Sequence, residues 1–124
     1  MSAGPAHTMR HPGKVLLCLE GLPLGGGTIT ALELGHALKA AGWEVVVYAA
    51  PGPAEVMIAE RGLRYVPAPS GNRWLGAGRI VAMVRVCRRE RPTLVHAWDW
   101  RAIHTAHVGA WLMCGLPVLG SITR

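Results

Sequence analysis

The stretch Lys14-Val15-Leu16-Leu17-Cys18-Leu19-Glu20-Gly21-Leu22-Pro23-Leu24-Gly25-Gly26-Gly27-Thr28 decides the fold. Its first part is an apolar run with no polar alternation, which reads as a strand buried on both faces, as in a parallel sheet. Glu20 to Gly27 then reads as a loop. After it, Thr30-x-x-Glu33 offers a capping box. Ala31, Leu34, Gly35, Leu38 and Ala41 recur at helical spacing, and Gly42 stands where a C-terminal glycine belongs. One strand, one glycine-rich turn and one helix make the opening unit of an α/β fold.

The same unit recurs along the chain. Trp43 to Tyr48 is a second strand, rich in β-branched residues. Glu55 to Arg61 is a short helix closed by Gly62, and Leu63 to Val66 is a third strand ended by Pro67. Pro67 to Gly78 is loop-like. The next helix carries Ile80, Met83, Val84 and Cys87 on one face, with Arg85, Arg88 and Arg89 on the other. Thr93 to His96 is a fourth strand. Ile103, Ala106, His107, Ala110, Trp111 and Cys114 make a further helical stripe, and Pro117 to Ile122 a fifth strand.

The alternation predicts a Rossmann-like parallel sheet of about five strands with helices on both faces. Residues 14–124 form this domain, behind a loose tail at 1–13. The commonest topology sets the first strand beside the fourth, with ligands outside the C-terminal strand ends. The loops of interest are therefore Glu20–Gly27 and Ala97–Arg101, with Thr123 and Arg124 as their neighbours.

Composition agrees and narrows the class. Of 124 residues, 51% are hydrophobic and only 16% charged, which is globular rather than disordered. No apolar run reaches the roughly 18 residues of a membrane span, and residues 1–13 lack the apolar stretch of a signal peptide. Cys18, Cys87 and Cys114 are odd in number and widely spaced, each in an apolar run. They read as buried reduced thiols in a cytoplasmic protein. The net charge of +6 contains no Lys/Arg run longer than a pair and no aromatic-plus-basic signature, so nucleic acid is not the expected partner. Phosphate groups or an anionic membrane surface account for the charge equally well, the latter through the Arg85, Arg88 and Arg89 face.

Three consecutive glycines before a helix remove every side chain between backbone and ligand and can reach positive φ. With the free N–H groups of the helix start, Gly25, Gly26, Gly27 and Thr28 make a seat for a phosphate or carboxylate. The bland alternative is a tight strand-to-helix connection. A P-loop is not met, because Gly27 stands where its lysine would be. Neither G-x-G-x-x-G nor an acid closing the second strand is present, so a dinucleotide site is not indicated. Glu20-Gly21 fits only the opening of a methyltransferase pattern, which Pro23 interrupts.

After the fourth strand comes His96-Ala97-Trp98-Asp99-Trp100-Arg101, with the chain's single Asp. Aromatic faces beside an acid and a histidine suit a sugar, with its CH patches and hydroxyls. Asp99 is a candidate base, and His96 a candidate catalytic partner. Alternatively Asp99 caps the following helix and His96 anchors a buried strand. His104 and His107, at i and i+3, lack a third metal ligand, and packing is the expectation for His107.

These pieces together resemble the N-terminal domain of glycosyltransferase family 4. The resemblance lies in Gly25-Gly26-Gly27 before a helix, Gly42-Trp43-Glu44-Val45-Val46-Val47, Arg91-Pro92-Thr93-Leu94-Val95-His96-Ala97 and Gly115-Leu116-Pro117-Val118-Leu119. It implies the first half of a GT-B fold from a retaining enzyme that moves sugar from a nucleotide-sugar donor to an acceptor hydroxyl. No resident cofactor or metal is implied. The donor diphosphate would approach Gly25, Gly26, Gly27 and Thr28. A sugar, lipid or small-molecule acceptor would lie against His96, Trp98, Asp99 and Trp100, near Thr123 and Arg124. The family's donor domain, with its paired glutamates, has no counterpart in residues 1–124, so the chain alone is expected to be inactive and to need that domain in trans. The rival readings are a non-catalytic Rossmann-like module for a phosphorylated metabolite or partner protein, and a methyltransferase-like domain.

Overall fold

A computed structural model describes residues 13–69, 77–98 and 100–121, with backbone alone at 77, 100 and 101. The elements are β1 (Lys14–Cys18), α1 (Gly26–Ala40), β2 (Glu44–Ala49), α2 (Glu55–Glu60), β3 (Arg64–Pro67), α3 (Ala77–Glu90), β4 (Leu94–Ala97), α4 (Trp100–Ala106) and β5 (Val118–Gly120). All pairings are parallel, in the order β3-β2-β1-β4-β5. The expected α/β class holds. β1 lies at the centre between β2 and β4, so the chain reverses its direction of winding there and opens a crevice beyond the strand ends.

The unbroken apolar run of β1 is explained by its position. Leu16 and Cys18 point into one layer with Val46, Tyr48, Met83 and Ala106. Val15 and Leu17 point into the other, with Ala31, Leu32, Val45 and Ile58. Thus α1 and α2 cover one face of the sheet, and α3 and α4 the other. Positive φ at Gly42 and Gly62 closes α1 and α2 with the turns their positions predict.

Four details depart from the expectations. First, α1 begins at Gly26, so Thr30 is no cap. Its hydroxyl donates back to the Gly26 carbonyl at 2.8 Å inside the helix, and Glu33 pairs with Arg61. Second, the buried face of α1 runs through Thr28, Ala31, Leu32 and Gly35, with Leu34 only half-buried. Third, α4 widens into a π-helical segment, His107–Leu112. The buried stripe runs through Ala102, Thr105, Ala106, Gly109 and Ala110, so His107 is exposed and stacks on a half-exposed Trp111, ring centroids 4.7 Å apart. Gly109 is what lets this segment approach α3, since a Cβ there would meet Met83 at 2.7 Å. Fourth, Cys18 and Cys87 are buried as expected, but Cys114 is only partly so; all three are free thiols.

Candidate functional site at the crest of the sheet

At the C-terminal crest the ladder continues one residue past the strands. Leu19 N–H donates to the Tyr48 carbonyl and Trp98 N–H to the Cys18 carbonyl, both at 3.0 Å. The Glu20–Leu22 segment is held from the side. Ala50 N–H reaches the Glu20 carbonyl at 3.3 Å, and Ala54 N–H the Leu22 carbonyl at 2.9 Å. Leu22 is buried beneath it while Leu24 projects into solvent.

Beyond this anchor the glycines begin. Gly25 is the N-terminal boundary residue of α1, in extended conformation and with no side-chain cap. Among the described residues, no acceptor takes the N–H groups of Gly26, Gly27 and Thr28. The first turn holds no acidic side chain. The helix therefore presents free amides and the positive end of its dipole.

The glycines are not there for backbone geometry, because none of Gly25, Gly26 and Gly27 has a positive φ. The expected convergence of N–H groups through left-handed glycines does not occur. Nor is packing the reason, since a Cβ built on Gly21, Gly25 or Gly26 meets nothing within 4 Å. Each glycine inside a helix costs about 0.5–1 kcal/mol relative to alanine. What the glycines provide is an uncovered backbone on the outer side.

Side-chain alternation places Leu94, His96 and Trp98 toward the α1 side, where Leu94 and Trp98 pack with Leu22, Ala31 and Leu32. His96 is buried. Its Nε2 lies 2.8 Å from the Ser121 hydroxyl, and its ring sits 4.8 Å from that of Trp98. Burial holds the imidazole below its ordinary pKa, so it is neutral at pH 7. The Trp98 indole N–H is buried without an acceptor among the described residues. Trp98, from the second expected loop, thus packs against the same core cluster that holds Leu22 of the first. Asp99, Thr123 and Arg124 lie outside the described residues, as does the Trp100 side chain.

On the α3/α4 side of the same crest lies a small cleft of about 30 Å³, lined by Glu20, Tyr48, Arg79, Met83 and Thr105 among others. The sequence reading missed it. A signal was present: Arg79, Met83, Cys87 and Glu90 fall on one helical stripe, and charged residues on a buried stripe require partners or ligands. Glu90 has partners, Lys14 and Arg64. Arg79 has none among the described residues: its Nε is buried with no acceptor there. Arg85, Arg88 and Arg89 are exposed, as expected. Among the described residues no three His, Cys, Asp or Glu side chains cluster as for a metal, and no helix is long and apolar enough to cross a membrane.

Comparison with known proteins settles the family. The model of Glycosyltransferase Family 4 matches residues 24–122, most of the chain. The chain belongs to glycosyltransferase family 4. Solved structures agree on the fold. A glycosyltransferase from Rickettsia africae superposes with a TM-score of 0.71 at 12% identity, covering 88% of this chain and 29% of that one. MurG of Acinetobacter baumannii gives 0.69 at 19%, covering 90% and 35%. Anabaena HepE, solved in complex with UDP-glucose, gives 0.72 at 13%, covering 87% and 28%. The family 4 chain thus spans about a third of the length of these GT-B proteins. No curated protein matches it in sequence.

Proposed function

We propose that this chain is the acceptor-side N-terminal domain of a retaining glycosyltransferase, with the N-terminus of α1 turned toward the diphosphate of a nucleotide-sugar donor. One observation carries the reading: three glycines open a helix whose first amides lack acceptors among the described residues, φ calls for none of them, and packing calls for neither Gly25 nor Gly26. Amides already fixed in place stabilise charge developing on a leaving diphosphate without reorganisation. The UDP-glucose bound by the Anabaena relative supports a nucleotide-sugar as donor.

In this reading transfer requires a donor domain packed over the crest. A sugar, lipid or small-molecule acceptor sits on the sheet ends, with Trp98 as an apolar platform and indole donor. Asp99 accepts a hydrogen bond from the attacking hydroxyl. The neutral His96, tied to Ser121, holds Trp98 in place rather than moving a proton. Retention is checked by the anomeric configuration of the product. The direct test is a titration of the chain with UDP-glucose, read at the amides of Gly26, Gly27 and Thr28. Saturable shifts there support the reading, and silence there removes it.

A further inference from the structure

The α3/α4 cleft sits on the opposite side of the β1 end from the glycines, and nothing above assigns it a ligand. Its walls are mostly apolar or neutral: Cys18, Leu19, Ala68 and Met83, with the Tyr48 and Thr105 side chains among them. Arg79 stands in the first turn of α3 with its Nε buried, and neither a hydrogen bond nor an ion pair reaches it among the described residues. Its charge is felt by Tyr48, whose phenol burial pushes up and keeps protonated as a donor, while Arg79 pulls the other way. Among the described residues of the rim the one carboxylate, Glu20, is engaged in an interaction of its own. A guanidinium N–H withdrawn from water and left without an acceptor is costly, and the fork geometry of arginine matches carboxylate and phosphate. The cleft already holds the donor half of such a pair.

We propose that this cleft binds an oxyanion, phosphate or carboxylate, carried by the acceptor, with Arg79 as the residue that recognises it. The Tyr48 and Thr105 hydroxyls supply further donors, and the apolar walls exclude water from the pair. The proposal rests on the acceptor-side reading above and narrows it from any hydroxyl compound to anionic acceptors. Arg79 touches the ligand but takes no part in bond making, so it determines specificity.

The test uses the ¹⁵N-labelled chain and two probes, inorganic phosphate and acetate. The Arg79 Nε–H resonance, assigned by its loss in Arg79→Gln, shifts saturably together with the Thr105 amide. Whichever probe acts at the lower concentration identifies the group. Arg79→Gln abolishes the Thr105 response, and Arg79→Lys keeps it weakened several-fold, which separates lost recognition from lost folding. If neither probe moves these signals, or if Arg79→Gln titrates like the wild type, the proposal is overturned. The same chain titrated with UDP-glucose keeps the two claims apart. Silent glycine amides beside a responsive Arg79 overturn the donor reading and leave the anion site standing; the reverse does the opposite.

Discussion

Glu90 ends α3 inside the protein, and its replacement by glutamine has an effect that can be worked from the structure. The side chain is 2% exposed, with Lys14 Nζ at 2.9 Å and Arg89 Nε at 3.4 Å. Arg64 forks onto both carboxylate oxygens, the Nη2 arm at 2.8 Å. The carboxylate thereby ties α3 to the starts of β1 and β3. Removing one member of a buried pair typically costs about 3–5 kcal/mol. Two features reduce that here: Arg64 is 54% exposed, and Lys14 keeps Glu44 at 3.4 Å. We expect Glu90→Gln to cost about 1.5–3 kcal/mol at pH 7, below the range for a fully buried pair. In a domain of this size that lowers Tm by roughly 5–10 °C.

The pH dependence has a definite sign. Burial alone would raise the Glu90 carboxyl, but Lys14 and Arg64 override it and hold its pKa below the ordinary 4.5. A depressed carboxylate contributes stability that is complete above the unfolded-state value and is lost as pH falls through the folded one. Urea denaturation of wild type and variant should therefore differ fully above about pH 5 and draw together as the pH falls below the ordinary 4.5 and through the depressed value. A variant within 0.5 kcal/mol of wild type at pH 7, or a gap that persists undiminished at low pH, refutes this account of Glu90.

Two further outcomes follow from the crest. Gly26→Asp adds an acid to a first turn that has none and a Cβ that meets nothing, so the fold should gain about 0.3–1 kcal/mol by urea denaturation while pyrophosphate binding, read at the neighbouring amides, falls at least tenfold. Loss of stability, or undiminished binding, would show the helix end is not open to phosphate. Gly52→Ala places a Cβ 2.7 Å from the Leu22 carbonyl oxygen, a backbone atom, so it should cost about 1–3 kcal/mol and shift the Glu20–Leu22 amides in the NMR spectrum. An unperturbed spectrum would mean that Leu22 is not clamped as described.

The topology was legible because β1 carries apolar residues on both faces and α1, α2 and the continuation of α4 stop at Gly42, Gly62 and Gly115; both signals are local. Strand bounds moved by about a residue, as at β3, where Pro67 still pairs with Ala49. The start of α1 was misread because Thr30 and Glu33 have the spacing of a cap, while the real boundary, Gly25, has no side chain to announce it. His107 was misplaced because the buried stripe, Ala102, Thr105, Ala106, Gly109 and Ala110, is built of small residues, while the larger Ile103 and Trp111 suggest a stripe one residue later. At the site, the glycine run was found, but its reason was not. The absence of positive φ and of packing contacts is a fact of three dimensions. The Arg79 cleft went unseen because an arginine at a helix start reads as solvated until its neighbours in β1, β2 and α4 are known.

The central claim is that α1 opens onto a donor diphosphate, and the most direct measurement is the UDP-glucose titration of the ¹⁵N-labelled chain. Saturable shifts are predicted at the Gly26, Gly27 and Thr28 amides, all lost in Gly26→Asp. Shifts confined to other residues, or the same response from Gly26→Asp as from the wild type, would contradict it.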